Sequence, residues 1–204
     1  DEVIGEKFSL FTADPFEYLK ETFKTFLQEK RIENKIIKLK KKNGEIIISS
    51  FIGNISNINN EIRTHCIFKD ITLEKKIEKK LKLSDIVFEN TTEGIIITNE
   101  KCEIISVNNA FTNITGYTFE EIQNKNPKIL KSGKHDCEFY ENLWNDLNKN
   151  CSWEGEIWNR KKNGEIYPEW LNLSIVKDSI GKIINYVALF SDITKIKNSN
   201  AKIE

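Results

Sequence analysis

An internal repeat constrains this sequence more than any other feature, because two similar segments in one chain predict two copies of one fold. The run Lys41–Ile46, with the sequence KKNGEI, recurs 120 residues later as Lys161–Ile166. The run Phe68–Thr72 (FKDIT) recurs 122 residues later as Phe190–Thr194 (FSDIT). We therefore expect the 204 residues to contain two copies of one module.

The second copy contains a full set of predicted elements between residues 84 and 194. Two β-rich runs, Gly94–Thr98 and Glu103–Val107, are separated by polar residues and predict a hairpin. The later predicted elements are short helices at 110–114 and 118–123, a longer helix capped by Asp136 and running to Leu147, and strands at 153–160, 165–176 and 182–192. This order predicts an α+β fold, in which a five-stranded antiparallel sheet carries helices on one face.

The first copy begins in the middle of this plan. The repeat aligns Asp1–Val3 with Glu120–Ile122, so the first strand pair and the first helices have no counterpart. Residues 1–72 predict only a helix over 16–27 and three closing strands, which leaves one sheet edge without its neighbours. We expect upstream residues of a longer protein, or a partner chain, to cover that edge. The absence of methionine supports the view that this sequence is a piece of a longer protein.

A charged segment between the copies, residues 73–83, predicts a linker helix. Its apolar residues Leu73, Ile77 and Leu81 repeat every four residues and form a narrow stripe. The stripe fits two arrangements, packing on its own domain or pairing with a second helix in parallel. Residues 195–204 begin a similar exit helix, and a helix leaving each module would serve to pass a signal onward.

Composition excludes several classes of function. The 31 basic and 31 acidic residues balance, so no net field favours nucleic acid or an anionic membrane. No apolar run approaches the roughly 18 residues of a membrane-spanning helix. The four cysteines form no C-x-x-C pair, which favours reduced thiols in a cytoplasmic domain over a metal site or disulfide framework. Glycine-rich phosphate loops and nucleophile elbows are absent, so we expect no enzyme activity.

Several short motifs between residues 84 and 194 together resemble a PAS domain with its associated C-terminal motif. They are Glu93–Ile95, Asn108–Phe111, Thr115–Tyr117, Lys131–His135, Trp153–Glu156, Asn159–Gly164 and Asp192–Thr194. The N-terminal copy resembles the last two thirds of such a domain. The run from Trp153 to Trp170 is similar to PAS modules attached to bacterial diguanylate cyclases, phosphodiesterases and histidine kinases. The resemblance implies a cytoplasmic, often dimeric sensory module with a pocket between sheet and helices.

Strand alternation, combined with the resemblance, gives candidate ligand-binding residues in the second copy. The resemblance points Asn159 toward the pocket, and a period of two aligns Tyr167, Glu169 and Leu171 on one face of the next strand. Phe190 and Trp153 complete the predicted set. A carboxylate facing an apolar cavity is unfavourable unless it is paired, so Glu169 should bind Asn159 or a polar ligand.

The first copy differs at the corresponding positions. Glu33 and Leu39 stand where the second copy has Trp153 and Asn159, so we expect the two pockets not to share a ligand.

The sequence does not decide whether the second copy binds a cofactor. Flavin-adduct PAS domains carry Asn-Cys-Arg where this chain has Asn126–Lys128 (NPK), so adduct photochemistry is not expected. The pattern Trp153–Arg160 is similar to that of redox-sensing PAS domains that bind FAD, which leaves noncovalent FAD open. His135 lies in a polar turn, which favours a solvated residue at a helix start over a haem ligand.

Three functional hypotheses follow from the sequence. The first is a sensory input module that binds a small ligand or partner and relays a signal through helical linkers to an absent effector. The second is a dimerisation scaffold whose cores are filled with side chains. The third is an FAD-binding redox sensor.

Overall fold

The computed structural model describes residues 7–58 and 61–200 and separates into two compact units, divided between Leu83 and Ser84. The Asp1–Val3 echo and the last residues of the predicted exit helix, 201–204, lie outside the described residues. No helix within the described ranges is both long and apolar enough to cross a membrane.

The first unit is a helix and a three-stranded antiparallel sheet of order β1-β2-β3. Its elements are a short 3-10 helix (Phe8–Phe11), α1 (Phe16–Glu29), β1 (Arg31–Lys40), β2 (Ile46–Ile58) and β3 (Glu61–Asp70), followed by α2 (Thr72–Asn90). A small core of Phe26, Ile32, Ile37 and Phe51 holds the helix against the sheet. Among the described residues β3 pairs only with β2, so the cover for its other edge stays a prediction.

Helix α2 is longer than the linker helix expected over residues 73–83. No glycine or proline interrupts the chain between Thr72 and Asn90, so nothing in the backbone chemistry ends the helix earlier. Asp70 accepts a hydrogen bond from the backbone N–H of Thr72 at 2.9 Å, which satisfies one free donor at the helix start.

The second unit has the predicted five-stranded antiparallel sheet, in the order β5-β4-β8-β7-β6. Its elements are β4 (Gly94–Asn99), β5 (Ile104–Val107), α3 (Asn109–Thr115), α4 (Phe119–Ile122), a 3-10 helix (Pro127–Leu130), α5 (Cys137–Asn150), β6 (Ser152–Arg160), β7 (Ile166–Lys177), β8 (Ile183–Asp192) and α6 (Thr194–Asn200). The predicted α+β architecture is confirmed, and the element bounds agree with the sequence patterns to within a few residues.

Local signals in the sequence start the helices of this unit. Asp136 accepts from the backbone N–H of Phe139 at 2.9 Å and caps α5, as predicted. Thr118 and Glu121 form a capping box at α4. The buried Asn108 caps α3 and also donates to the carbonyl of Glu93, so one amide joins the helix start to the entry of β4.

The core of the second unit lies between the sheet and the short helices. It contains Ile96, Ile104, Phe111, Ile122, Leu130 and Phe190. Gly94 stands opposite Phe190 in the β4–β8 pairing, and a Cβ at position 94 would overlap the Phe190 ring. Glycine at this position therefore lets the aromatic ring fold over the neighbouring strand.

The repeated KKNGEI segments form the same hairpin turn in both units. Gly44 and Gly164 both have positive φ, at 86° and 91°. In each turn the asparagine side chain accepts from the following glutamate's backbone N–H, at 3.0 Å for Asn43 and 2.9 Å for Asn163. The shared turn carries both hairpins, β1–β2 and β6–β7, which confirms the common topology of these segments.

Candidate functional site

A cavity of about 340 Å³ lies between the sheet and α5 in the second unit. Most of its wall is apolar, including Ile96, Leu130, Leu143, Ile157, Leu171, Leu173, Ala188 and Phe190. Polar groups also line it, namely Thr98, Cys102, Asn126, Lys128, Lys131, Tyr140, Asn159, Glu169 and Tyr186. An apolar cavity with a few convergent polar groups is typical of a small-molecule site.

Glu169 is the acidic side chain of this cavity wall among the described residues and is only 2% exposed. Its Oε1 accepts from Asn159 Nδ2 at 2.8 Å, and its Oε2 accepts from the Tyr167 hydroxyl at 2.6 Å. Residues 159 and 167 face each other across the β6–β7 hairpin, so strand register brings both donors to the carboxyl group. Each carboxyl oxygen thus has one protein partner and can accept a further hydrogen bond.

The environment of Glu169 favours its protonated form. Burial raises the pKa of the Glu169 carboxyl to about 7, although the hydrogen bonds from Tyr167 and Asn159 act in the opposite direction. Burial, together with the neighbouring Glu169 charge, raises the pKa of the Tyr167 phenol. Tyr167 therefore stays a hydrogen-bond donor, whereas Glu169 titrates near neutral pH.

The structure brings four of the six predicted site residues to the cavity wall. They are Asn159, Glu169, Leu171 and Phe190. Tyr167 is fully buried and does not line the cavity, but its hydroxyl holds Glu169 from the other side. Sequence alternation alone placed Tyr167 on the same strand face as Glu169.

Trp153, the sixth predicted residue, does not line the cavity. Its ring lies beside Gly155 and meets the Phe139 ring edge-on, with 6.2 Å between centroids. Gly155 leaves room for the indole on the sheet surface, so Trp153 packs under α5 near the start of β6. The structure thus places Trp153 in the packing of α5, and its contact with a ligand stays a prediction.

Tyr140 is a cavity residue that the sequence pattern did not identify. It lies on α5, and its hydroxyl is buried without a hydrogen-bond partner among the described residues. The Lys131 ammonium lies 3.4 Å from the centroid of the Tyr140 ring, a cation–π contact. The backbones of Lys131 and Asn159 also form an isolated antiparallel β-bridge. Lys131 and Tyr140 therefore both lie near Glu169, the partner of Asn159.

His135 is not the solvated residue that the polar turn predicted. Its Nε2 accepts from the backbone N–H of Trp158 at 2.9 Å, and its ring stacks on Phe139 at 3.9 Å. Burial lowers the pKa of His135, which agrees with a neutral ring acting as an acceptor. The ring is occupied by this structural bond, which joins the α5 entry to β6.

The site is linked to the exit helix through Asp192. Glu169 and Asp192 are register partners in the β7–β8 pair. The Asp192 Oδ1 accepts from the backbone N–H of Thr194 at 2.9 Å at the start of α6, and Oδ2 lies 3.3 Å from the Lys161 ammonium. These contacts lower the pKa of Asp192 despite its partial burial. One carboxylate therefore stands between the buried Glu169 and the helix that leaves the domain.

Metal binding has no support within residues 7–58 and 61–200, where no cluster of three or more histidine, cysteine or acidic side chains has ligand-like geometry. The loop around Asn126 borders the cavity and contains no cysteine.

Comparison with known proteins places these features in a family. A family model described as a PAS domain matches residues 1–73 and 92–195. The nitrogen fixation regulatory protein of Klebsiella oxytoca is 29% identical over 106 residues, which cover 52% of this chain and 21% of that protein. The blue-light-activated histidine kinase of Brucella anthropi is 35% identical over 109 residues, 52% of this chain and 22% of that protein.

Both relatives are much longer than this chain, which spans about a fifth of each. The crystal structure of the PAS domain of a protein from Colwellia psychrerythraea matches with a TM-score of 0.54 and 20% identity, covering 57% of this chain and 98% of that domain. At this identity the likeness concerns the fold. A PAS domain is a sensory fold and not a catalytic one, in agreement with the predicted lack of enzyme activity. Because the family model matches well over half of the sequence, this chain belongs to the PAS domain family.

Proposed function

We propose that this chain is a tandem-PAS sensory input module whose second copy binds a small ligand. The observation that carries this proposal is the buried, titratable Glu169 beside a largely apolar cavity of about 340 Å³. A scaffold core filled with side chains has no need of a buried carboxyl group, which is unfavourable in an apolar interior. The first copy would not share the ligand, because Leu39 and Ser49 stand where the second copy has Asn159 and Glu169.

The proposed signal leaves the domain through Asp192 and α6. A ligand that changes the charge or position of Glu169 acts on the register partner, Asp192, whose carboxylate caps the exit helix. Lys197 ties the same helix to the sheet through an ion pair with Glu156 at 2.5 Å. A shift of either contact changes how α6 leaves the sheet, and an effector domain beyond it would receive the signal.

Native mass spectrometry and a thermal-shift screen of metabolites test ligand binding. We expect at least one compound to raise the melting temperature of the wild-type chain and to shift the Glu169→Gln variant less. Ser49→Ala, a change at the position of the first copy that corresponds to Glu169, is the control and should leave the response unchanged. Absence of both a copurified molecule and any melting shift contradicts the proposal, and flavin absorption bands would identify the FAD alternative.

We also propose that the chain forms a homodimer through α2. The side chains of Leu73, Ile77 and Leu81 are 67%, 51% and 62% exposed, although they form one stripe of the helix. Pairing of two such stripes would remove this apolar surface from water and leave the flanking charges solvated.

Analytical ultracentrifugation tests the helix pairing. We expect the double variant Ile77→Lys, Leu81→Lys to be monomeric at concentrations where the wild-type chain is dimeric. Leu83→Lys changes an equally exposed apolar residue outside the stripe and is the matched control. A monomeric wild-type chain, or a dimer that survives the double change, excludes α2 as the interface. A dimer that binds no ligand would support the scaffold hypothesis instead.

A further inference from the structure

Two lysine side chains give the ligand cavity of the second unit a more specific chemistry. Lys128 and Lys131 both line the cavity and are both exposed, so they stand where the cavity meets solvent. Lys128 belongs to the 3-10 helix Pro127–Leu130, and Lys131 follows that helix directly. One short segment therefore brings two positive charges to the same side of the cavity.

The Lys131 ammonium group is held at the cavity wall. It lies 3.4 Å from the centroid of the Tyr140 ring, and Tyr140 also lines the cavity. The backbone of Lys131 is fixed in turn by its β-bridge with Asn159. A cation on the face of an aromatic ring keeps N–H donors for other partners. The Lys131 ammonium is therefore positioned beside the cavity and can still bind an anion.

The two cavity lysines have no counter-charge of their own. In the part of the chain that the structure describes, no carboxylate lies within ion-pair distance of Lys128 or Lys131. Glu169 also lines the cavity, but its two oxygens accept hydrogen bonds from Asn159 and Tyr167. Burial raises the pKa of Glu169 to about 7, so in slightly acidic solution this carboxyl group is mostly uncharged and does not repel an anion at the lysines.

The first copy lacks these lysines at the corresponding positions. Its 3-10 helix Phe8–Phe11 stands in place of Pro127–Leu130, which places Ser9 and Thr12 where the second copy has the two lysines. In both copies the second of these positions forms an isolated β-bridge with the strand that follows. The shared backbone plan therefore does not require positive charge here, and the lysines are a property of the second copy.

We infer that the cavity recognises a small monocarboxylate with an apolar body, whose carboxylate pairs with Lys128 and Lys131 while the body packs on the aliphatic wall. Ile157, Leu171 and Leu173 belong to this wall, and a second charge on the ligand would lie unfavourably against it. Both lysines keep contact with water, so the pairing avoids the full cost of burying two charges. The inference rests on the proposed ligand-binding function and makes the two lysines residues that determine specificity.

Matched probes with one apolar body and three head groups test this inference on the full 204-residue chain. The probes are 3-phenylpropanoate, 3-phenylpropanamide and 3-phenylpropylamine, which are anionic, neutral and cationic at about pH 6. Benzoate with benzamide, and phenylacetate with phenylacetamide, extend the acid and amide pairs to shorter bodies. Binding is followed by chemical-shift titration of cavity-lining residues in about 0.15 M salt, where charges more than about 8 Å apart are largely screened.

Three variants assign any preference for the carboxylates to the cavity lysines. Lys131→Gln removes one charge, and the double variant Lys128→Gln, Lys131→Gln removes both. Lys125→Gln removes an exposed lysine of the same region that does not line the cavity, and it is the matched control.

We expect at least one carboxylate to bind the wild-type chain about ten-fold more tightly than its amide, which corresponds to about 1.4 kcal/mol, and the amine to bind most weakly. Lys131→Gln should reduce this ratio in part, the double variant should bring it within about two-fold, and Lys125→Gln should leave it unchanged. The affinity for the amide should be the same in all four chains, which separates loss of charge from damage to the fold.

Several results would overturn the inference. If the amides bind as tightly as the carboxylates, or if the ratio survives in the double variant, the lysines do not select the ligand and only this inference fails. The same holds if metabolites bind in the cavity and no carboxylate probe does. If neither the probes nor any metabolite shifts a cavity resonance, the proposed ligand-binding function itself fails.

Discussion

The two copies of the repeated segment have the same local structure but different surroundings. Helices α1 and α5 both end at a residue with left-handed backbone, Lys30 and Cys151, whose carbonyl accepts from the second strand of the following hairpin at 2.9 Å. The strands that follow pair in the same antiparallel order. Local sequence therefore specifies this helix-and-hairpin unit in both copies, although among the described residues only the second has β4 and β5 in the same sheet.

The surroundings decide how deeply the same residues are buried. Phe68 and Phe190 occupy corresponding positions, opposite Phe51 and Leu171 in the strand register. Phe190 is 2% exposed because β4 pairs with its strand and Phe111 packs on its ring. Phe68 is 39% exposed and contacts only the Phe8 and Phe51 rings among its described aromatic neighbours.

The chemistry of the corresponding positions also differs. Ser49 stands in place of Glu169, is equally buried, and donates to the carbonyl of Lys69 at 3.1 Å. Leu39 stands in place of Asn159, so the position that supplies the amide in the second copy is apolar in the first. The repeat therefore conveys a backbone plan, and the polar site is a property of the second copy.

The largest expected difference concerns the matched phenylalanines. Phe190→Ala should reduce the free energy of unfolding of the second unit by about 3–5 kcal/mol, because it leaves a cavity in a packed core. Phe68→Ala should cost only about 1–2 kcal/mol, since much of that ring is already in water. Denaturant titration measures the first by tryptophan fluorescence, because all four tryptophans lie in the second unit, and the second by circular dichroism. Equal effects would contradict the difference in burial.

An intermediate effect is the pH dependence contributed by Glu169. Its pKa is raised from 4.5 to about 7 on folding, so the folded chain binds the proton more tightly than the unfolded chain. The stabilisation is complete below about pH 4.5 and is lost as the pH rises toward 7, a decrease of about 3 kcal/mol.

In the Glu169→Gln variant the free energy of unfolding should no longer fall with this slope between pH 4.5 and 7. Denaturant titrations followed by tryptophan fluorescence measure it. The first copy has Ser49 at this position, so Ser49→Ala should leave the slope unchanged and provides the control. A wild-type slope in the Glu169→Gln variant would show that another group titrates.

The smallest expected effect concerns two side chains that accept hydrogen bonds at corresponding positions of the two copies. His135 accepts from the backbone N–H of Trp158, and Asp14 accepts from that of Lys38 at 2.6 Å. His135→Ala and Asp14→Ala should each reduce stability by about 1 kcal/mol at pH 8.

These two bonds should differ in acid. Burial lowers the pKa of His135 in the folded chain. The contribution of His135 to stability is therefore present above the pKa that it has in the unfolded chain, and it is lost as the pH falls. Unfolding measurements at pH 8 and pH 5.5 should show the His135→Ala effect shrinking while the Asp14→Ala effect persists. If both effects stay constant, the assignment of His135 as a neutral hydrogen-bond acceptor is wrong.

Much of the fold followed from local patterns. Alternation located the strands, the Asn-Gly pairs located both hairpins, and the cap at Asp136 located the start of α5. Alternation also placed Asn159 and Glu169 at the cavity, because side-chain direction in a strand depends on sequence position alone.

The remaining site features depend on packing between distant elements. The Tyr140 hydroxyl is buried without a hydrogen-bond partner among the described residues, and the periodicity of the sequence does not indicate this. Trp153 shares the strand face of Asn159 but packs under α5, because Gly155 leaves space for its ring there. The role of His135 depends on the approach of β6 to the α5 entry.

The sequence by itself determined the repeated backbone plan, the family and the pairing of the Asn159 amide with the Glu169 carboxyl group, because turns, caps and strand alternation are set by neighbouring residues. Tertiary structure alone decided how deeply each corresponding residue is buried, and which side chains of the cavity wall have hydrogen-bond partners among the described residues. Burial depends on contacts between residues far apart in the chain, so corresponding residues such as Phe190 and Phe68 differ in exposure although their local sequences are similar.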